Sequence, residues 1–276
     1  MQNIGHKLIE IHLTRWSNMK LVIKYQNILS LVLASSLIWA IGCNSESVES
    51  EDIRTSGMWV KMEADGQADE RTRVVVELNV GGEFGTNVVL SSGEYLEAVA
   101  AGVTKRMAED TDFLDIDYQA YMDTNTSDTE VNIRFYRNSG ENIVESRAIL
   151  PTSFVITSPL SSEDYSLQET VVLAWTPEIQ DGSTHFFSTI TCINTEGETT
   201  SSSSSEYIND NGVYEYDIST SRLFANGTAG LNTAQPCTMA FTLQRKRFGN
   251  IDPRFGEGGT FKATQTRKVE GVTLHL

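Results

Sequence analysis

The sequence predicts an all-β protein: two antiparallel β-sandwich bodies that follow a removable N-terminal signal peptide and an acidic linker. Three observations predict it. Apolar residues recur at every second position from Met58 onward, the period of a half-buried strand and not of a helix. Turn-forming clusters punctuate these runs, at Asp65-Gly66, Gly81-Gly82, Ser91-Ser92-Gly93 and Asn138-Ser139-Gly140. The one long apolar stretch lies ahead of them all, at residues 28–41, short of the ~20 residues a spanning helix needs.

That stretch is the first element. Lys20 and Lys24 precede it and Gly42-Cys43 closes it, the charge, apolar run and small residue of an export signal. Met19-Lys20 makes a conventional start, whereas residues 1–18 carry Glu10 and fit no signal pattern. The run Ala40-Ile41-Gly42-Cys43 resembles the lipobox of bacterial lipoproteins, with Ala40 where Leu is commoner. The resemblance implies that Cys43 carries a diacylglycerol, that residues 1–42 are cut away and that the new amino terminus is acylated. Two or more chains anchor a protein stably where one does not. Asn44 stands where Asp resembles an inner-membrane retention signal, so the resemblance implies the outer membrane. An uncleaved N-terminal anchor helix is the alternative. Residues 43–55 are polar and acidic without apolar periodicity, and read as a flexible spacer between lipid and body.

The chain has 276 residues and a formal charge of −16; the leader contributes +3, which leaves about −19 on the remainder. A body that acidic repels nucleic acid and meets an anionic bilayer only through its lipid. Its commonest meaning is solubility.

The first body is expected over residues 56–150. Met58, Val60 and Met62 share one strand face; so do Val74, Val76, Leu78 and Val80, and later Val131, Ile133 and Phe135. Residues 95–107 fit either a helix or a hairpin turning at Ala101-Gly102, and the β-rich surroundings favour the hairpin. Leu150-Pro151 marks the boundary to a second body over residues 151–276.

Thr170-Val171-Val172-Leu173-Ala174-Trp175-Thr176-Pro177 resembles the second strand of fibronectin type III and immunoglobulin-like domains, which ends in a core Trp. The resemblance makes residues 186–193 the third strand, 238–245 the sixth and 260–266 the last, extended by 269–274. Residues 199–205 are nearly all Ser and Thr and are expected as a loop. Asn209-Asp210-Asn211-Gly212 has the chemistry of a hairpin turn, and residues 223–236 read as a long connection.

With Cys43 lipidated, Cys192 and Cys237 remain, an even pair in an exported chain. A bond between them closes a loop of about 45 residues, for up to about 4 kcal/mol on the chain-entropy account. Trp175 precedes both cysteines, unlike the antibody arrangement, so the bond is expected to tie the third strand to the start of the sixth.

Candidate chemistry is sparse. His185 follows a turn and His275 is penultimate, and no G-x-S-x-G occurs, so no nucleophilic triad is indicated. Asp110, Asp112, Asp115 and Asp117 offer oxygen ligands for a hard cation, but a solvated acidic loop is the simpler reading. The stretch Asp123–Asp128 lacks the glycine and the final glutamate of a calcium loop. Arg245, Lys246, Arg247 and Phe248 form the strongly basic cluster, followed by Arg254 and Phe255 on a long hairpin tip; these six are the candidate binding surface.

The sequence thus points to a lipid-anchored, non-enzymatic binding or scaffold module, without cofactor, whose partner is an envelope protein or a glycan. The alternatives are an envelope hydrolase and a calcium- or carbohydrate-dependent adhesin using Asp110–Asp117.

Overall fold

The alternation becomes structure strand by strand. The computed structural model describes residues 47–111, 115–138, 143–178 and 183–276, and every regular element longer than three residues among them is a strand. The expected signal peptide, Cys43 and Asp112 lie outside the described residues.

In the first half run β1 (Ser47–Glu49), β2 (Met58–Gly66), β3 (Thr72–Val80), β4 (Thr86–Val89), β5 (Tyr95–Ala100), β6 (Val103–Arg106), β7 (Ala108–Thr111), β8 (Ile116–Met122), β9 (Glu130–Tyr136) and β10 (Ile143–Ile149). One sheet has the order β10-β9-β5-β6, and β2, β3, β4 and β8 belong to another. Their inward residues, among them Met58, Val60, Met62, Val74, Val76, Leu78, Val131, Ile133 and Phe135, form one buried core. The segment open to either reading is the hairpin β5–β6, because Ala101 and Gly102 both take positive φ, 49° and 79°, the tight turn that matches strand twist.

The second half holds β11 (Ile156–Ser158), β12 (Asp164–Ser166), β13 (Thr170–Trp175), β14 (Ser183–Ile193), β15 (Thr199–Asn209), β16 (Val213–Asp217), β17 (Ala225–Thr228), β18 (Cys237–Phe248) and β19 (Gly259–His275). A three-stranded sheet, β11-β13-β16, lies across a second core from the order β19-β18-β14-β15. Trp175 is buried there, its indole N–H donating to Asp210 at 2.7 Å.

A single ribbon runs through both cores. β19 has 17 residues, roughly 55 Å of extended chain, and β18 pairs along it from Cys237 to Phe248. Residues Gly259 to Gln265 of β19 run parallel to β2, and Thr273 to His275 run parallel to β12. Phe261 and Ala263 therefore enter the first core, and Val272 and Leu274 the second. The sheet is continuous from β1 to β15, and Ser47–Leu276 is one compact unit.

Three local expectations change. The span expected as a flexible linker to residue 55 is built into the fold from Ser47: β1 pairs with β4, and Ser50 and Thr55 are buried. The Ser/Thr run is not a loop but the strand β15. Its hydroxyls pair across to β14, Ser204 with Ser188 at 2.7 Å, Ser203 with Thr189 and Ser201 with Thr191 at 3.0 Å each, which is how hydroxylic residues support a sheet. Asn209–Gly212 does not close a hairpin, because β15 pairs with β14 whereas β16 pairs with β13. It is a corner that carries the chain from one sheet to the other.

Cys192 and Cys237 are bonded, with Cα atoms 4.3 Å apart. They continue the β14–β18 register beyond Thr191↔Thr238, so the bond joins neighbouring strands of one sheet at a narrow, non-hydrogen-bonded pair.

Candidate functional site

The two-residue period of β18 splits the basic cluster. Arg245 points inward and is buried. Its guanidinium meets the Asp210 carboxylate through Nε and through Nη2 at 2.9 Å, and donates to the carbonyls of Thr152 at 3.0 Å and Thr176 at 2.6 Å. Phe154 lies under it, 4.5 Å from ring centroid to Cζ. Burial works against the Asp210 charge, but hydrogen bonds from Arg245 and Trp175 outweigh it and hold the carboxyl below its ordinary range. Arg247 donates to Asp128 at 2.6 Å, to Glu178 at 2.8 Å and to the Leu150 carbonyl at 3.1 Å.

The hairpin tip is structural as well. Phe255 is part of the first core. Gly256 lies so close to the Ser56 carbonyl that a Cβ would sit 2.5 Å from its oxygen. Arg254 binds Asp252, whose carboxyl is brought down to about 2 by those hydrogen bonds. Of the six residues expected to form one surface, Arg245 and Phe255 are therefore interior, and Arg247 and Arg254 are engaged with carboxylates of the chain.

Lys246 and Phe248 do face solvent, and they meet residues that the basic cluster does not announce. Tyr207 of β15 is 60% exposed and Phe248 is 70% exposed. Lys246 lies over both rings, 5.4 Å from the centroid of Tyr207 and 5.1 Å from that of Phe248, and donates to the Tyr207 hydroxyl at 3.2 Å. His185 is not in a loop; it sits within β14, stacked on Tyr207 at 4.3 Å and 4.0 Å from Phe187. Its pKa is lowered, first by burial and then by the neighbouring Lys246, so the imidazole is neutral near pH 7. The sequence signal that marks them is periodicity: His185 and Phe187 share a face in a strand, as do Lys246 and Phe248.

Phe187 also borders a groove of about 560 Å³ on the same outer face, with Thr189, Thr191, Thr238, Thr242, Lys268 and Glu270 along it. A register shift between Met239 and Phe241 bends the β18–β19 ribbon there. Lys268 and Glu270 form an ion pair beside the hydroxyls. The face thus joins an aromatic platform to a trough of donors and acceptors.

The acidic candidates are placed elsewhere. Asp110, on the exposed strand β7, opposes the half-buried Asp117 of β8. Asp110 accepts from Gln119 at 2.6 Å, and Asp115 from Asn87 at 2.9 Å. Asp123 pairs with Lys105. No group of three or more His, Cys, Asp or Glu suited to a metal ion occurs among the described residues.

No protein-family model matches the chain, and no curated protein matches it. Among solved structures, the fibronectin(III)-like modules of Clostridium thermocellum CbhA match over 78% of this chain and 94% of theirs, at 10% identity and a TM-score of 0.21. The adhesin InvE of Yersinia pseudotuberculosis matches over 80% of this chain, at 10% identity and a TM-score of 0.23, and this chain spans 60% of InvE. Likeness this distant carries no functional argument.

Proposed function

We propose that the chain is a lipid-tethered, non-enzymatic binding module of the cell envelope, anchored through Cys43 in the outer membrane, and that the outer face of β15-β14-β18 is its working surface. The observation that carries this is the solvent-facing constellation of His185, Phe187, Tyr207, Lys246 and Phe248. Aromatic side chains exposed together on a rigid sheet are the usual anchors of an interface. The adjoining groove supplies hydroxyls and one charged pair, the few polar groups that fix orientation in a binding site.

A glycan fits this face better than a protein surface does. A sugar ring offers an apolar C–H face to an aromatic ring and hydroxyls around its rim, and each Thr hydroxyl both donates and accepts. The disulfide is in keeping with an oxidising compartment.

Two measurements test the reading. Mass spectrometry of the protein from its native membrane is expected to find Cys43 as the first residue, carrying acyl chains; upstream residues still attached, with no lipid, would remove the location. Retardation in gels containing soluble neutral polysaccharides, a β-glucan, a xylan and a mannan in turn, is expected for one of them. Tyr207→Ala with Phe248→Ala is expected to weaken it at least about tenfold. If no polysaccharide retards the protein, and an envelope protein is instead captured through Tyr207 and Phe248, the glycan reading gives way to a protein partner.

A further inference from the structure

The strand β15 ends its sheet. Among the described residues it pairs only with β14. The parity of that pairing can be followed residue by residue. Asn194 donates to the Glu198 carbonyl at 2.8 Å, and Ile193 turns its carbonyl the other way, toward Asn232. Even-numbered residues of β14 therefore bond to β15, and their partners Thr200, Ser202, Ser204 and Glu206 bond back. Thr199, Ser201, Ser203, Ser205 and Tyr207 direct their N–H and C=O groups outward, away from β14. Along an 11-residue strand this is a row of main-chain donors and acceptors open to another strand.

Natural sheets protect such an edge by keeping it short, bending it, or placing Lys or Pro on it. β15 uses none of these. It is long, has neither Lys nor Pro, and carries no charge before Glu206. The facing sheet reaches it only at its C-terminal end, where the Tyr214 hydroxyl of β16 donates to Glu206 and Ile208 is buried in the second core. β16 packs Tyr214 and Tyr216 on Phe186 of β14, and Tyr216 also on Phe241 of β18. Of the side chains of β15 that point toward the other sheet, Thr200 and Ser202 are half-buried, Ser204 and Glu206 are exposed, and Ile208 is buried. Between the edges of β15 and β16 lies a groove of about 570 Å³, bordered by three carboxylates, Glu206, Glu215 and Asp217, against the single guanidinium of Arg222.

We infer that this edge takes up an extended polypeptide segment rich in Lys or Arg, which adds itself as a strand beside β15. The main-chain row supplies the affinity and the acidic groove the preference, the division of labour in strand addition. The small side chains of β15 let any backbone approach. A second copy of this chain is the wrong occupant: its own β15 has no basic residue and each copy carries a net charge of −16, so two would repel.

The test uses two synthetic eleven-residue peptides, one alternating lysine with valine and one with glutamate in place of lysine, read by fluorescence anisotropy and by amide exchange at residue resolution. The variant is Ser203→Pro. It deletes an outward N–H and the Ser203–Thr189 hydroxyl contact but leaves the main-chain ladder to β14 intact, at a place where an edge strand accepts proline, and its melting temperature serves as the folding control. The expected result is binding of the lysine peptide at least tenfold tighter than the glutamate peptide. Exchange is expected to slow at Ser201, Ser203, Ser205 and Tyr207, and both effects are expected to be lost in Ser203→Pro. Binding of neither peptide, or binding without protection of those amides, overturns the inference. So does a concentration-dependent dimer of the unmodified protein that Ser203→Pro abolishes, which would assign the edge to a second copy. The peptide comparison and the exchange at Ser201, Ser203 and Ser205 involve no residue named for the proposed polysaccharide-binding face, and protection at Tyr207, which that face shares, is read only together with them.

Discussion

Each sandwich holds one arginine locked to a carboxylate in its interior, and the two locks do different work. In the first, Arg137 and Glu94 have side chains 0% exposed. Arg137 donates to the carbonyls of Ser50 and Ile53 and to the Thr55 hydroxyl, and Glu94 accepts from the Ser50 hydroxyl and the Asn138 amide. This lock grips the incoming chain and fastens residues 50–55 to the body. In the second, Arg245 and Asp210 grip a corner between sheets and the carbonyls of Thr152 and Thr176, where the chain passes from one core to the next. Both arginines spend their spare donors on main-chain carbonyls, and only that makes a buried pair tolerable, since desolvation otherwise exceeds the Coulombic gain. The difference teaches that the first sandwich is closed by its own N-terminal segment. The second relies on the corner lock and a disulfide, and leaves one long edge open.

Removing each arginine separates the two locks. Arg137→Ala and Arg245→Ala are each expected to cost about 3–5 kcal/mol, the penalty for stranding a buried carboxylate, measured by urea denaturation. Because β19 carries residues of both cores, each variant is expected to unfold in one transition. Two separated transitions would mean that the shared ribbon does not couple the cores. Amide exchange separates the roles. Arg137→Ala is expected to release residues 50–55, and Arg245→Ala the corner around Asp210.

How much of this was legible in the sequence follows from period and from separation along the chain. The faces of β2, β3 and β9 were legible because their apolar residues alternate with polar ones over several positions. The core position of Trp175 came from the fibronectin type III resemblance, and the pairing of Cys192 with Cys237 came from counting, because they are the two cysteines left once Cys43 is set aside. The locks were not, because their partners stand 43 residues apart in one case and 35 in the other, and nothing local marks Glu94 or Asp210 as interior. The basic cluster misled for a physical reason: four neighbours in a strand cannot share a face, so Arg245 and Lys246 part company. The Ser/Thr run misled because its strand character comes from hydroxyl pairing with β14, a contact no window of sequence contains. The aromatic platform combines three strands, β14, β15 and β18, and each contributes only one or two of its residues.

The disulfide is the next largest difference between the halves. Cys192→Ser with Cys237→Ser is expected to cost about 2–4 kcal/mol, read as a lower urea midpoint with a slope that rises as the denatured chain loses its cross-link. A loss near zero would show that the in-register β14–β18 pairing alone holds that edge.

Acid sharpens the comparison at the second lock. Asp210 is held below its unfolded value, so its contribution is complete above the unfolded carboxylate range near pH 3.9 and is lost as pH falls through the folded pKa. Asp210→Asn is expected to be less stable than the parent at neutral pH, and to lose less of its remaining stability between about pH 4 and pH 2, followed by thermal melts. Parallel loss in both proteins over that window would remove Asp210 from the acid response.

The smallest expected effect on stability bears on the edges. β6, at the end of the first sandwich's second sheet, has only four residues, two of them Lys105 and Arg106. Lys105 pairs with Asp123 at 2.7 Å, largely in solvent, and such pairs contribute about 0.2–1 kcal/mol. Lys105→Ser with Arg106→Ser is therefore expected to lower stability only slightly, through the loss of that pair and of the Arg106 stacking on Tyr95 at 4.3 Å. Its larger consequence is colloidal: an edge stripped of charge invites strand pairing, so light scattering at high concentration is expected to rise in this variant and not in the parent. The converse substitution, Ser203→Lys on β15, places on the open edge the charge that β6 already carries. If scattering is unchanged by the β6 variant, charge is not what keeps that edge unpaired, and the contrast with β15 reduces to strand length, four residues against eleven.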